Sequence, residues 1–277
     1  MIDLHPIQYA KPWAIFWAVA VLAHGYMDYS FFRIWKRWSR GTKTAAGSQR
    51  NPRAALKIWT AEVLFQRQLF ILSPGRWGVH MLIFWGFLAL AVLSLTTCIA
   101  AALGMADVYG AARHFSSSVR GHIFVKVWGD IFGLFLLIGL AAASVRRFLL
   151  RPSQQVTEQT DALLLLFLLW ITLSGFVLEG LRLSLVPPEI ARYSFIGSLF
   201  IPPGSHTIVQ LQPWLTACWC LHAFSGLALL VYLPHSKLIH SISAPLVIAL
   251  NASAEFARKD IYWPDISKHK ATGSLKD

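Results

Sequence analysis

The chain has 277 residues, of which 56% are hydrophobic and 14% are charged, and its formal net charge is +12. This composition is far more apolar than that of a soluble globular domain, and it predicts a membrane protein. The basic excess is poor evidence for a nucleic-acid-binding protein, because no basic stripe accompanies a recognised motif. We expect it to reflect membrane topology and an anionic lipid surface or acidic partner.

Apolar runs predict the fold, since a helix needs about 20 mostly apolar residues to cross a bilayer. Five segments have this length, at 12–32, 80–104, 122–145, 161–182 and 213–235. None alternates as the strands of a membrane barrel do, so we predict an all-α integral membrane bundle of five transmembrane helices. Residues 1–250 are expected to form one membrane domain, and 251–277 a cytoplasmic C-terminal tail.

Lysine and arginine divide unevenly between the two sides of this bundle. Nineteen fall on one side, in segment 33–76, in the turn after the third span and in the tail from residue 234, whereas five fall on the other. Because cytoplasmic loops carry the basic excess, the N-terminus is predicted outside and the C-terminus inside. Within the first basic loop, residues 51–70 predict an amphipathic cytoplasmic helix with Pro52 in its first turn.

Two histidines stand at the ends of the last apolar stretch. His222 and His240 are eighteen residues apart, which is five helical turns, so both rings are predicted on one face, about 27 Å apart. One metal centre cannot contact both, and the spacing therefore predicts two sites near opposite membrane surfaces. Pro234 lies between them and predicts a kink. The alternative is that both histidines simply lie at the polar membrane interface.

Each of these sites requires a second histidine at the same depth. The predicted topology makes His80 level with His240, and His122 level with His222. His24, midway along the first span, competes for either role, the alternative being a hydrogen bond between packed helices. Two neutral imidazoles from facing helices are what a low-spin haem iron requires. The other histidines are expected to be solvated, namely His5, His114, His206, His235 and His269.

The segment LHAFSGLALLVYLPHSKLIHSISAP resembles the last helix of the gamma subunit of respiratory nitrate reductase, a five-helix cytochrome b with two haems. Three further stretches are HMLIFWGFLAL, GDIFGLFLLIGLAAASVRRFLLRP and TDALLLLFLLWITLSGFVLEGLRL. They are similar to the membrane cytochrome of heterodisulfide-reductase-like complexes, which include the sulfite-reduction-associated complex and electron-transfer-flavoprotein:menaquinone oxidoreductases. The similarity spans roughly residues 60–250.

The resemblance implies that the family's haem b ligands fall on His80, His222 and His240. One departure is the stretch FWGFLALAVLS, which lacks the second histidine of the nitrate reductase pattern about ten residues beyond His80. The outer haem then needs another ligand, which we predict to be His122. The remaining alternatives are His24 in its place or an empty outer site.

The resemblance also implies a quinone or menaquinone site. Lys126 and Asp130 follow His122 at four-residue spacing on the third span, and Glu179 and Arg182 end the fourth span at the same level. A hydroquinone releases two protons as its electrons leave, so it needs a carboxylate or imidazole beside it. We therefore predict a quinone site at Lys126, Asp130, Glu179 and Arg182. The alternative is structural pairing of Lys126 with Asp130 and of Glu179 with Arg182.

No cysteine cluster for iron–sulfur centres occurs in the sequence, so electrons need an external partner. The resemblance implies that this partner is a cytoplasmic iron–sulfur subunit of heterodisulfide-reductase type. The sequence thus predicts the di-haem b, multi-pass subunit of a hetero-oligomeric quinone-dependent oxidoreductase in the cytoplasmic membrane of a bacterium or archaeon. Two other classes stay open, a small polytopic transporter and a haemless membrane anchor. The lack of inverted repeats and broken helices argues against the transporter.

Overall fold

A computed structural model of the chain describes residues 11–39, 52–102, 119–150, 159–185, 188–204 and 207–252. Regular structure within these ranges is helical, and no strand occurs in them. The chain divides into two compact units. The first unit comprises the residues up to His24 together with Gly78–Val231, and the second comprises Gly25–Trp77 together with the residues from Tyr232 onward.

The helices follow one another along the chain with short interruptions. In order they are α1 (Lys11–Ser39), α2 (Pro52–Trp59), α3 (Arg67–Leu72), α4 (Pro74–Ala102), α5 (Val119–Ser144), α6 (Gln159–Leu183), α7 (Pro188–Ala191), α8 (Ile208–Tyr232) and α9 (His240–Ala252). π-Helical turns extend α2 and α5, at Thr60–Leu64 and Val145–Leu150. Single 3-10 turns occur at Gly197–Phe200, Leu233–His235 and Lys237–Ile239.

Four helical segments among the described residues are long and apolar enough to cross a membrane. They are Pro74–Thr96, Ile123–Leu150, Gln159–Leu183 and Val209–His235. These segments confirm the second to fifth predicted spans in position. Helix α1 forms as predicted, but polar and charged residues such as His24, Asp28 and Arg33 make it less apolar than the other four. The fifth span and the orientation of the termini therefore stay predictions.

Close approach at glycines joins α4 and α5 in the first unit. A Cβ atom on Gly86 would lie 2.6 Å from the backbone nitrogen of Leu136, and one on Gly139 would lie 2.7 Å from Cγ1 of Ile83. Position 83 thus faces 139 while 86 faces 136, so the two helices run antiparallel. Small residues permit such backbone approach where helices associate in a membrane.

Gly86→Ala should destabilise the first unit, because the new methyl group would meet the backbone of α5, which cannot move aside cheaply. The expected cost is about 1–3 kcal/mol, typical of overpacking. Gly129→Ala is the matched control, since a Cβ atom at Gly129 meets nothing within 4 Å. Thermal unfolding of the detergent-solubilised variants checks this. Equal or higher stability of Gly86→Ala would contradict the close crossing.

Helices α5 and α6 also run antiparallel in the first unit. Arg147 Nη2 lies 3.1 Å from Asp161 Oδ2 at one end of the pair. Nearer the other end, a Cβ atom on Gly133 would lie 2.8 Å from Cζ of Phe176, so the phenyl ring occupies the space that a side chain would take. The ion pair and the glycine contact fix the register that brings the polar residues of α5 and α6 together.

In the second unit, the amphipathic segment begins as predicted but is not one helix. Helix α2 starts at Pro52, the backbone becomes π-helical from Thr60, and Gln66 is left-handed with φ 48° before α3 begins. Ile58 is buried and α2 packs against α9, whereas Leu56 and Lys57 are exposed. The segment is therefore interrupted and not one continuous helix, and its amphipathic, cytoplasmic character stays a prediction.

The helix expected to run from His222 to His240 is also interrupted, so this expectation was wrong. Helix α8 ends at Tyr232, and Ser236 is extended with φ −99° and ψ 169° between two 3-10 turns. Pro234 has no N–H to donate, so the helix stops rather than kinks. His222 therefore lies on α8 in the first unit and His240 begins α9 in the second. The two histidines therefore do not lie on one continuous helix, and the predicted same-face spacing of five turns does not apply.

Candidate functional site

His222 lies where α8 crosses α6 in the first unit. Its Nδ1 is 3.0 Å from Ser174 Oγ. A Cβ atom on Gly175 would lie 3.2 Å from Cε1 of the ring, so the imidazole rests against the glycine backbone of α6. The same crossing is held by Trp170, whose Nε1 donates to Ser225 Oγ at 3.2 Å. This pair of contacts fixes where the His222 ring lies along α6.

The hydrogen bonds of Ser174 indicate which nitrogen of His222 carries the ring hydrogen. Ser174 Oγ donates its single hydrogen to the carbonyl oxygen of Ile171 at 3.0 Å. With its hydrogen used in this way, the hydroxyl oxygen accepts from His222, which favours the tautomer with the hydrogen on Nδ1. Nε2 keeps its lone pair, the form in which a neutral imidazole binds a metal. Ser174 is 5% exposed, so this arrangement is shielded from water.

The other candidate ligands lie on separate elements. His24 Nδ1 is 2.7 Å from the carbonyl oxygen of Ala20 on α1. His80 is half-buried on α4 in the first unit, and His240 is exposed in the second, with Nδ1 at the carbonyl of Lys237. His122 belongs to α5, but its side chain lies outside the described residues.

The register along α6 bears on the predicted pairing of His122 with His222. His222 contacts Ser174, whereas Lys126 contacts Glu179, which lies five residues or about 7.5 Å further along α6. His122 is another turn of α5 beyond Lys126, about 6 Å more. The backbone of His122 is thus about 13 Å along the bundle from the level of His222. The pairing stays a prediction, but the register gives it no support.

Three of the predicted quinone-site residues form a connected charged triad, Lys126, Glu179 and Arg182. Lys126 Nζ lies 2.8 Å from Glu179 Oε1, and Arg182 Nη1 lies 3.2 Å from Glu179 Oε2. The predicted pairing of Glu179 with Arg182 is confirmed. The alternative pairing of Lys126 with Asp130 is wrong, because the lysine reaches across to α6. The side chains of Lys126, Glu179 and Arg182 are 9%, 21% and 26% exposed, so the triad is a partly buried group of charges.

Asp130 makes a different set of contacts. It is 2% exposed, and its carboxylate accepts hydrogen bonds from Ser194 Oγ at 3.1 Å and from the backbone nitrogens of Ile196 at 2.7 Å and Gly197 at 3.3 Å. These backbone groups open the 3-10 turn Gly197–Phe200, whose first N–H groups have no partner within the turn itself. Asp130 therefore caps this turn from α5 and holds the segment in place.

The segment 194–200 also lies directly on α6 beside the triad. A Cβ atom on Gly197 would be 2.8 Å from Cγ of Glu179, and one on Gly180 would overlap the carbonyl oxygen of Phe200. Neither Ser194 nor Gly197 was predicted from the sequence. The only signal was a glycine flanked by aromatic and aliphatic residues in the stretch FIGSLF, which is common in loops.

Comparison with known proteins identifies the family. Residues 56–248 match the model of HdrE, a subunit of dihydromethanophenazine:CoB--CoM heterodisulfide reductase. The chain belongs to this family. The HdrE protein of Methanosarcina barkeri is 30% identical over 229 residues, which cover 82% of this chain and 76% of that protein. The HdrE protein of Methanosarcina acetivorans is 28% identical over 228 residues, 81% of this chain and 75% of that protein.

A more distant relative has a longer chain. The EtfAB:quinone oxidoreductase of Syntrophomonas wolfei is 25% identical over 260 residues, which cover 89% of this chain but 35% of that protein. No solved structure matches. The match to the HdrE model includes all four membrane-spanning segments, the charged triad and His222 with Ser174. This member of the HdrE family is accordingly a multi-pass protein of the cytoplasmic membrane.

Proposed function

We propose that this chain is the electron-transferring, di-haem b membrane subunit of a respiratory complex. It exchanges electrons between a membrane quinone pool and a cytoplasmic iron–sulfur subunit of heterodisulfide-reductase type. The observation that carries the proposal is the 3.0 Å contact between Ser174 Oγ and His222 Nδ1, which favours the tautomer that leaves Nε2 for iron. Membership of the HdrE family supports it, as does the relative named as a quinone oxidoreductase.

The donor set suits haem. Among the described residues, no group of three or more His, Cys, Asp or Glu is placed to hold a metal ion. Haem would need only two side chains of this chain to hold its iron, and His222 would be one of them. The proposed ligands are His80 and His240 for the inner haem, and His222 with His122 for the outer one, with His24 as the alternative to His122. When bound, haem b supplies reversible one-electron transfer.

The charged triad is the proposed quinone site. Lys126 and Arg182 hold the Glu179 carboxylate from two sides, and the three residues together carry one net positive charge. This charge favours a quinone oxygen, and the carboxylate is a group that can accept a proton released as hydroquinone is oxidised. The proposed role of Asp130 is to keep the segment 194–200 against Glu179, because the Asp130 carboxylate accepts hydrogen bonds from that segment.

The proposed topology follows the basic residues. Helix α1 is taken as a fifth span, with the N-terminus outside and the C-terminus inside. The large basic loop and the tail then face the cytoplasm, where they offer a docking surface for the iron–sulfur subunit. The names of the relatives, which are subunits of heterodisulfide reductase, support a hetero-oligomeric complex.

The experiment that tests the proposal is haem quantification on the purified chain. Pyridine haemochrome analysis should give about two haem b per chain, and the reduced-minus-oxidised spectrum should show low-spin b-type bands. A hydroquinone should reduce these bands in membranes. Protein that is folded by circular dichroism and carries no haem would rule the proposal out in favour of an anchor.

A further inference from the structure

We propose that Ser174 is a positioning residue for iron binding by His222, because its hydroxyl group fixes the ring hydrogen on Nδ1 and presents Nε2 to the metal. The inference rests on the proposed function, since it takes His222 to be a haem ligand. It adds a residue on α6 to a site whose candidate ligands had been only histidines. The contact that carries it is the 3.0 Å bond between Ser174 Oγ and His222 Nδ1.

The direction of this bond depends on Ile171. A serine hydroxyl can either donate to Nδ1 or accept from it, and only the second case leaves Nε2 without a hydrogen. The carbonyl oxygen of Ile171 lies 3.0 Å from Ser174 Oγ and takes the hydroxyl hydrogen. Ile171, Ser174 and His222 thus form a chain of hydrogen bonds with one direction, which leaves the lone pair on Nε2.

Gly175 contributes the space that the ring needs. A side chain at this position would begin 3.2 Å from Cε1 of His222, closer than most packed Cβ atoms come to a neighbour. The serine therefore orients the imidazole, and the adjacent glycine lets it lie against the backbone of α6. These two roles account for the sequence pair Ser174–Gly175.

Ser174→Ala tests the inference through the haem reduction potential. An oxygen that accepts from Nδ1–H makes the imidazole a more basic ligand, which favours ferric over ferrous iron. Loss of this acceptor should raise the haem reduction potential by about 59 mV. For a one-electron couple this changes the ratio of ferric to ferrous haem about tenfold toward ferrous at a fixed potential. A redox titration followed at the haem bands measures the shift. Only the haem that His222→Ala removes should respond.

Ser225→Ala is the matched control. Ser225 Oγ accepts from Trp170 at the same crossing of α6 and α8, so its loss also removes one hydroxyl contact between these helices. It makes no hydrogen bond to a histidine among the residues that the structure describes. This variant should titrate like the parent chain. A shift as large as that of Ser174→Ala would mean that general loosening of the crossing causes the effect, and it would overturn the inference.

Gly175→Ala provides a second, independent change. It keeps the hydroxyl group but presses on the ring, so it should alter the electron paramagnetic resonance g values of the low-spin ferric haem without removing the acceptor. If Ser174→Ala does not accumulate, Ser174→Cys replaces it, because sulfur is a weaker acceptor and should shift the potential in the same direction. If the parent protein binds haem and the variants have the same potentials and g values as the parent, the inference is overturned and the proposed function stands. Parent protein without haem would overturn the proposed function itself.

Discussion

His222→Ala is expected to be purified with about one haem per chain instead of two, the largest single effect on cofactor content that the structure suggests. The imidazole is held from one side by Ser174 and lies against Gly175, so its Nε2 is presented in a fixed direction. Alanine cannot bind iron, and no other described side chain at this crossing offers an imidazole. Pyridine haemochrome analysis against protein concentration measures the loss.

His235→Ala is the control for this experiment. His235 is exposed in the second unit, where its Nε2 lies 2.9 Å from the hydroxyl group of Tyr26, and it is not a proposed ligand. The His235→Ala protein should retain the haem content of the parent protein. His222→Ala protein with the same haem content as the parent would remove His222 from the ligand set and take the main support from the proposed function.

The same assay decides between His122 and His24 as the partner of His222. The variant of the true partner should lose the haem that His222→Ala loses, as judged by its potential and band position. The register along α6 places His122 about 13 Å from the level of His222, and His24 lies eight residues, about 12 Å along α1, beyond Phe16, whose ring is 4.8 Å from that of Trp219 on α8. The variant that loses this haem therefore identifies the partner, and the other variant should keep it.

The sequence predicted the helices well because their signal is local. Runs of apolar residues place α4, α5, α6 and α8 within a few residues of their structural bounds, since each must match the thickness of a bilayer. The break after Tyr232 was harder to predict. A single proline predicts a kink or a stop equally well, and the extended Ser236 that follows keeps the chain from continuing the same helix.

The polar contacts could be predicted only in part, because they depend on how neighbouring helices align. Glu179 and Arg182 lie three residues apart on one helix, so helical geometry alone was enough to predict their contact. Lys126 reaches Glu179 rather than Asp130 because antiparallel packing of α5 and α6 places the two at one level. The partners of Asp130 come from a turn more than sixty residues away in sequence, and no periodicity could reveal them.

Glu179→Gln should be both strongly destabilising and inactive with hydroquinone. Glu179 joins two cations, and its loss leaves Lys126 and Arg182 as neighbouring positive charges in a partly buried place. Breaking a buried ion pair by removing one partner costs about 3–5 kcal/mol. Titration with sodium dodecyl sulfate should show the lower unfolding free energy. The rate at which a hydroquinone reduces the haem bands in membranes should fall with it, because the proton acceptor is gone.

Asp161→Asn separates these two effects. Asp161 pairs with Arg147 at 3.1 Å on the same two helices, at the opposite end of α6 from the triad, and both side chains are 14% exposed. Its loss should also lower the unfolding free energy, whereas hydroquinone should still reduce the haem bands at the parent rate. If both variants lose stability and neither loses activity, the triad is a structural ion pair and the quinone site lies elsewhere. If only Glu179→Gln loses activity, the buried carboxylate is part of the proton path, because a matched loss of charge on the same helix leaves the reaction intact.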